Sequence, residues 1–200
     1  MTMNKIGFAE VVRAVRALDG YSLPWAVCGG WAIDLYLDRI TRPHKDVDFV
    51  VLRKDQLVLQ KQLLSKGWTL EKAAHGQLIP WQENEWIDLP VHIVWCRNTK
   101  VSPDFIEFLF DDVEGDSFLY RRNRSITFPA EKMILSSAAG IPILAPEIVL
   151  LYKSDRPGED PAAVSDFENA LPGLSHDSRC WLADALRKIN PEHPWLKDLQ

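Results

Sequence analysis

The chain has 200 residues, of which 46% are apolar and 26% are charged, as is usual for a globular protein in water. Its formal net charge of -5 argues against a nucleic-acid partner, and three widely spaced cysteines argue against a disulfide framework or a zinc site. No segment offers the roughly 18 uncharged apolar residues of a membrane span. We therefore expect a soluble cytoplasmic protein that has no membrane partner.

Hydrophobic periodicity divides the chain into a mixed part and a helical part. In the first part, the pattern predicts a helix over 6–18, a strand over 23–28, a helix over 31–37, a strand over 46–52 and a helix over 55–66. Further strands are predicted over 68–72, 77–82, 86–96, 104–111 and 117–128, with polar hairpin loops at 82–85 and 111–116. From residue 142 the pattern is helical, with a proline-rich connector over 155–161. The expected fold is α+β: a mixed β-sheet with flanking helices over 1–141, followed by a small helical region over 142–200.

Gly29 and Gly30 lie between a predicted strand and a predicted helix. Backbone without side chains can approach a ligand closely, and free N–H groups at a helix start can hold phosphate. A tight turn that binds nothing explains the pair equally well.

Asp46 and Asp48 are a stronger signal for a binding site. Residues i and i+2 of a strand project from one face, where two carboxylates repel each other unless a cation lies between them. Magnesium takes one or two protein carboxylates together with substrate phosphates. A solvated strand entry is the alternative, and the preceding Gly-Gly pair favours the metal site.

The stretch from Gly29 to Asp34, followed by Lys45-Asp46-Val47-Asp48, resembles the nucleotidyltransferase superfamily, in the branch of aminoglycoside and lincosamide nucleotidyltransferases. Segments 91–95, 115–122 and 144–153 are also similar to aminoglycoside adenylyltransferase-like members, so the likeness extends over nearly the whole chain. The resemblance implies a metal-dependent transfer of a nucleoside monophosphate, AMP from ATP, to a hydroxyl of a small molecule such as an aminoglycoside antibiotic, with release of pyrophosphate.

The resemblance also implies a magnesium ion on Asp46, Asp48 and a third carboxylate, which serves as ligand or as base for the acceptor hydroxyl. Glu107 is the first candidate, because a carboxylate inside an apolar strand needs a partner and because lincosamide-type members carry an acid at this place. Asp88 is the alternative, although it follows a polar turn where solvent would suffice.

Arg42, His44 and Lys153 are further candidates for contacts with the nucleotide. Arg42 and His44 precede the aspartates, and Lys153 is suggested by its position in the family. A solvated basic loop and a surface lysine are the alternatives. Arg121 and Arg122 occupy adjacent positions of a predicted strand, so that at most one of them faces the site.

Two other functions remain open at this point. One is a nucleotidyltransferase that modifies a protein or an RNA, as in toxin–antitoxin pairs, and the lack of a basic stripe argues against RNA. The other is a relative that binds nucleotide without catalysis, against which the retained Asp46 and Asp48 argue.

Overall fold

The computed structural model describes residues 7–155 and 158–200. The helices are α1 (Ala9–Val15), α2 (Gly29–Tyr36), α3 (Gln56–Ser65), α4 (Pro146–Lys153), α5 (Pro161–Ala170) and α6 (His176–Ile189). The strands are β1 (Trp25–Val27), β2 (Asp48–Leu52), β3 (Thr69–Ala74), β4 (Gln77–Pro80), β5 (Ile93–Arg97), β6 (Phe105–Glu114), β7 (Ser117–Leu119), β8 (Thr127–Pro129), β9 (Ile134–Ser136) and β10 (Pro142–Leu144). The start of the predicted first helix and residues 156 and 157 of the predicted connector lie outside the described residues.

All of these strands belong to one mixed sheet with the order β4-β3-β5-β6-β2-β1-β10-β9, and β7 and β8 extend it from β6. The β2–β6 and β1–β10 pairs are parallel, whereas the other pairs are antiparallel. The predicted α+β fold, a mixed sheet with flanking helices, is confirmed.

Strand β6 shows how the sheet separates the core from the site. Ile106, Phe108 and Phe110 are fully buried, whereas Glu107 and Leu109 between them are half-buried. Because successive side chains of a strand point to opposite faces, one face of the sheet lies in the core and the other, here called the open face, remains accessible.

Two predicted strands are shorter in the structure than the sequence indicated. The strand expected over 86–96 is β5 alone, because buried Arg53 donates hydrogen bonds to the carbonyl groups of Ile87 and Val91 and holds this segment as a loop. The strand expected over 117–128 is interrupted by a turn between β7 and β8.

The sequence analysis placed the boundary between the mixed part and the helical part after residue 141, and one more strand follows it. Strand β10 lies beyond it and pairs with β1, with Val27 opposite Ile143. The helical part therefore begins at α4, which packs against α2, α5 and α6. Among the described residues, no helix has both the length and the apolar character needed to cross a membrane.

The junction of β1 and α2 requires a glycine for two separate reasons. Gly29 has a φ of +64°, and a Cβ atom there would collide with the carboxylate of Asp48. The close approach of backbone to carboxylate fixes the start of α2 against β2.

We expect Gly29→Ala to destabilise the protein by about 3 kcal/mol, because it adds a steric clash to the cost of a left-handed backbone. Gly20 is the matched control, since its φ is +84° and no atom lies within 4 Å of a Cβ built there. Gly20→Ala should cost about 1 kcal/mol. Urea unfolding of both variants measures the difference, and equal losses would contradict the clash.

Candidate functional site

Three carboxylates converge on the open face of the sheet. Oxygen atoms of Asp46, Asp48 and Glu107 all lie within 4.8 Å of one another. Asp48 begins β2, and Glu107 lies directly opposite it in the parallel strand β6. The predicted convergence of Asp46 and Asp48 is thus confirmed, but Asp46 does not belong to the strand.

The strand begins two residues later than predicted because the chain turns away before Val47. The carbonyl of Val47 still accepts a hydrogen bond from the Glu107 amide, at 3.2 Å. Before it, Thr41 and His44 contact Asp34 and Trp31 of α2, and Asp46 reaches the cluster from a loop.

The charged forms of Asp48 and Glu107 are disfavoured in this cluster. Burial raises the pKa of Asp48 to about 7, and the charges of Asp46 and Glu107 add to the effect. Burial, followed by the charge of Asp46, raises the pKa of Glu107 to about 7. None of the three forms an ion pair within residues 7–155 and 158–200.

This donor set fits a divalent cation of the magnesium type. Such ions prefer carboxylate oxygens, and a bound cation would counter both the burial and the repulsion that raise the pKa values of Asp48 and Glu107. Asp88, the alternative third carboxylate, is exposed in the loop before β5 and accepts a hydrogen bond from the Trp86 indole at 2.9 Å. The structure brings Glu107 to the two aspartates, while the chemical role of Glu107 stays a prediction.

The predicted glycine turn is instead the first turn of α2. Gly29 faces the carboxylate of Asp48, and a Cβ on Gly30 would lie 2.6 Å from the ring of His44. The N-terminal N–H groups of α2 thus begin next to the carboxylate cluster, where phosphate binding was predicted.

Arg42 and Lys153 meet at one buried acid that the sequence analysis did not single out. Asp166 of α5 is fully buried and accepts two hydrogen bonds from the Arg42 guanidinium, at 2.7 and 2.8 Å. The Lys153 ammonium lies 2.8 Å from the same carboxylate. Burial alone would raise the pKa of Asp166, but the hydrogen bonds and charges of the two cations outweigh it and lower that pKa.

His44 also contacts a buried carboxylate, that of Asp34 in α2. Its Nε2 atom lies 2.6 Å from a carboxylate oxygen of Asp34, and its ring packs against Trp31 at 4.3 Å between centroids. The other oxygen of Asp34 accepts a hydrogen bond from the Thr41 amide, at 3.1 Å. These contacts anchor the loop that carries Asp46, and a direct contact of His44 with nucleotide stays a prediction.

A cleft of about 280 Å³ extends from the cluster along the open face. Its lining is apolar in the middle and charged at both ends, and it consists of Cys28, Gly29, Asp48, Val50, Ile93, Glu107, Leu109, Asp111, Arg121, Arg122, Leu144, Val149, Tyr152 and Lys153. Lys153 therefore lines the cleft in addition to pairing with Asp166. A contact of Lys153 with the triphosphate would require this position.

The far end of the cleft holds Asp111 and two arginines whose predicted strand placement is wrong. Asp111 was expected where a strand meets a hairpin loop; it lies within β6, which continues to Glu114, and it accepts a hydrogen bond from the Tyr152 hydroxyl at 2.6 Å. Arg121 and Arg122 follow β7 in a turn, and both line the cleft. The i, i+2, i+4 spacing of Glu107, Leu109 and Asp111 was the available signal.

Burial raises the pKa of Asp111 to about 6, partly offset by the Tyr152 hydrogen bond and the charge of Arg121. The Arg121 guanidinium also lies 4.3 Å from the centre of the Tyr152 ring. The far end of the cleft is therefore a fixed polar cluster, separated from the first by apolar side chains.

Comparisons with known proteins agree with this architecture. A family model described as Aminoglycoside-2''-adenylyltransferase matches residues 10–121. A solution structure of the antibiotic-resistance factor ANT(2'')-Ia is similar, with a TM-score of 0.61 and 16% identity over 95% of this chain and 96% of that chain. A comparison with curated proteins finds no match.

Two crystal structures with bound molecules are also similar in fold. ANT(2'')-Ia in complex with adenylyl-2''-tobramycin gives a TM-score of 0.60 and 16% identity over 90% of this chain and 96% of that chain. The lincosamide antibiotic adenylyltransferase LnuA, bound to lincomycin, gives a TM-score of 0.55 and 15% identity over 80% of this chain and 94% of that chain.

We expect Asp166→Ala to reduce the free energy of unfolding by about 2 to 4 kcal/mol, because it leaves Arg42 and Lys153 without their partner. Asp184→Ala is the control, since it removes an exposed ion pair with Arg187 and should cost less than about 0.5 kcal/mol. Urea unfolding measures both, and similar losses would show that Asp166 contributes no more than a surface acid.

We expect Asp48→Asn to be more stable than the native chain at pH 8 without divalent cations, by about 1 to 2 kcal/mol. A carboxyl whose pKa rises to about 7 on folding costs stability when ionised. This cost is absent below its unfolded pKa of about 4 and complete above the folded value.

The advantage of Asp48→Asn should therefore shrink as the pH falls from 7 toward 4. Thermal unfolding with a chelator at several pH values measures it, and Asp88→Asn, at an exposed acid, is the control. An advantage that does not change with pH would contradict the assigned cause.

Proposed function

This chain belongs to the aminoglycoside-2''-adenylyltransferase family and is a nucleotidyltransferase, and we propose that it transfers AMP from ATP to a hydroxyl of a small molecule such as an aminoglycoside antibiotic. The observation that carries the proposal is the cluster of Asp46, Asp48 and Glu107 beside the first turn of α2. The similar proteins bound to adenylyl-2''-tobramycin and to lincomycin support an antibiotic as the acceptor.

Asp46, Asp48 and Glu107 would hold the magnesium ion. Bound there, magnesium would neutralise the charge of the transferring phosphoryl group and that of the carboxylates. The three acids supply only oxygen ligands, two from the paired strands β2 and β6 and one from the loop before β2, and oxygen ligands suit a hard cation.

The triphosphate would lie between the start of α2 and the end of α4. Gly29, the first residue of α2, and Lys153, the last residue of α4, both line the cleft, and the first N–H groups of a helix have no partner within the helix. Lys153 is held by Asp166 at 2.8 Å, which fixes the position of its positive charge before substrate arrives. Fixed charges of this kind stabilise a transition state without reorganisation.

Glu107 would act on the acceptor as a general base, in addition to or in place of metal ligation. A carboxylate oxygen of Glu107 takes the proton of the acceptor hydroxyl while the new O–P bond forms, and pyrophosphate departs. Without a metal, burial raises the pKa of Glu107 to about 7; bound magnesium would lower it again, so that the carboxylate is ionised and can accept the proton at neutral pH.

The three cysteines are free, and two of them are buried. Free thiols of this kind persist in a reducing compartment, and we therefore place the enzyme in the cytoplasm together with its ATP.

We expect pyrophosphate release from ATP and magnesium with at least one member of a panel of aminoglycosides, lincosamides and other polyols. Glu107→Gln should lower turnover by about 10²- to 10⁴-fold, because it removes both charge and basicity. Asp88→Asn is the matched control and should have little effect. Loss of turnover in Asp88→Asn with normal turnover in Glu107→Gln would show that Asp88, and not Glu107, is the third carboxylate.

Magnesium dependence of nucleotide binding gives a separate measurement. Native protein should bind ATP more tightly with magnesium than without, and Asp48→Asn should abolish most of that difference. Calorimetry measures it. An unchanged magnesium dependence would mean that the protein does not hold the metal through Asp48.

A further inference from the structure

A row of side chains crosses the open face of the sheet from the carboxylate cluster toward the β4 edge. Glu107 of β6 lies opposite Trp95 of β5, and Trp95 lies opposite Glu71 of β3. Directly opposed residues in antiparallel strands have Cβ atoms about 5 Å apart. The indole of Trp95 therefore stands next to the cluster, and Glu71 follows on its far side.

Trp95 belongs to a group of aromatic and cationic side chains on this face. Its ring lies 5.2 Å from that of Phe105, at an angle of 80°, and both residues are half-buried. The guanidinium of exposed Arg97 lies 4.7 Å from the centre of the Phe105 ring and 5.6 Å from that of Trp95. We call Trp95, Phe105 and Arg97 the aromatic platform.

Glu71 completes the platform with a carboxylate that the fold does not use. It is half-buried, and in the described part of the chain its side chain forms neither an ion pair nor a hydrogen bond within the protein. The platform and Glu71 together present two aromatic rings set edge to face, several N–H donors and a pair of acceptor oxygens.

The cleft and the platform lie on opposite sides of the carboxylate cluster. The cleft runs from Glu107 past Leu109 to Asp111, along β6 in one direction. The platform begins at Phe105, two residues from Glu107 in the other direction. With the triphosphate and Lys153 on the cleft side, an acceptor hydroxyl can approach Glu107 from the platform side.

We propose that the aromatic platform and Glu71 form the acceptor subsite, and that this subsite takes a hydroxylated, sugar-like ring. The inference rests on the proposed function, since it requires a hydroxyl to be brought to Glu107. The C–H face of such a ring packs on the indole of Trp95, while Arg97 donates to its hydroxyls and Glu71 accepts from its hydroxyls or amines. A hydroxyl of the same ring then lies beside Glu107.

The test uses tobramycin and lincomycin as acceptor probes, with ATP and magnesium. Trp95→Leu keeps an apolar side chain but removes the flat ring, and should raise the KM of a probe that is turned over by about tenfold, with kcat changed less than about threefold. Trp95→Phe should restore most of the affinity. Glu71→Gln should raise KM by about three- to tenfold.

Trp86→Leu is the matched control, because Trp86 is an exposed indole in the loop before β5 that donates a hydrogen bond to Asp88 and does not belong to the row. It should leave the KM of both probes unchanged. The affinity for ATP with magnesium, measured by calorimetry, should be the same in all variants, since none of them touches the cleft.

The outcomes test the acceptor subsite and the proposed function separately. If the native protein turns over a probe and Trp95→Leu or Glu71→Gln keeps the native KM, the subsite is overturned while the proposed function stands. If neither probe is turned over, calorimetry measures their binding without nucleotide. Binding that Trp95→Leu abolishes would support the subsite although the function fails, and absence of binding to the native protein would overturn it.

Folding of the variants is checked by thermal unfolding. If Trp95→Leu does not fold, Glu71→Gln decides alone, because it preserves shape and removes only a charge. A native KM in folded Glu71→Gln then overturns the proposal, and a raised KM supports it.

Discussion

The parallel pairing of β2 with β6 is the constraint on which the whole site depends. It sets Asp48 directly opposite Glu107, and a slip of one residue would turn Glu107 into the core. Ile106, Phe108 and Phe110 are fully buried on the core face of β6. A slip would expose their side chains, and the burial of these side chains therefore prevents it. The packing of the core thus fixes the geometry of a cluster that repels itself.

The second constraint is a buried charge shared between the two parts of the chain. Asp166 of α5 holds Arg42, from the loop before the cluster, and Lys153, from the end of α4. A fully buried carboxylate needs such partners. The helical region is therefore not an appendage to the sheet, because one of its acids holds a cation from each part of the chain.

The local pattern of apolar and polar residues was sufficient to predict much of the fold and part of the candidate site. Alternation and helical spacing indicated most elements, and the i, i+2 spacing of Asp46 and Asp48 indicated their convergence. Patterns of this kind act over a few residues, so they missed β9 and took residues 86–92 for a strand. That segment is a loop because of Arg53, which lies more than thirty residues earlier, and no local pattern contains that contact.

The sequence by itself indicated the acids of the candidate site: two aspartates after a Gly-Gly pair, and an acid within an apolar strand. Only the tertiary structure decided which of them meet. Glu107 rather than Asp88 joins the aspartates, Asp166 captures Arg42 and Lys153, and Trp95 stands beside Glu107. The physical reason is that strand order and register are set by burial of the opposite face, a property of the whole sheet that no single segment encodes.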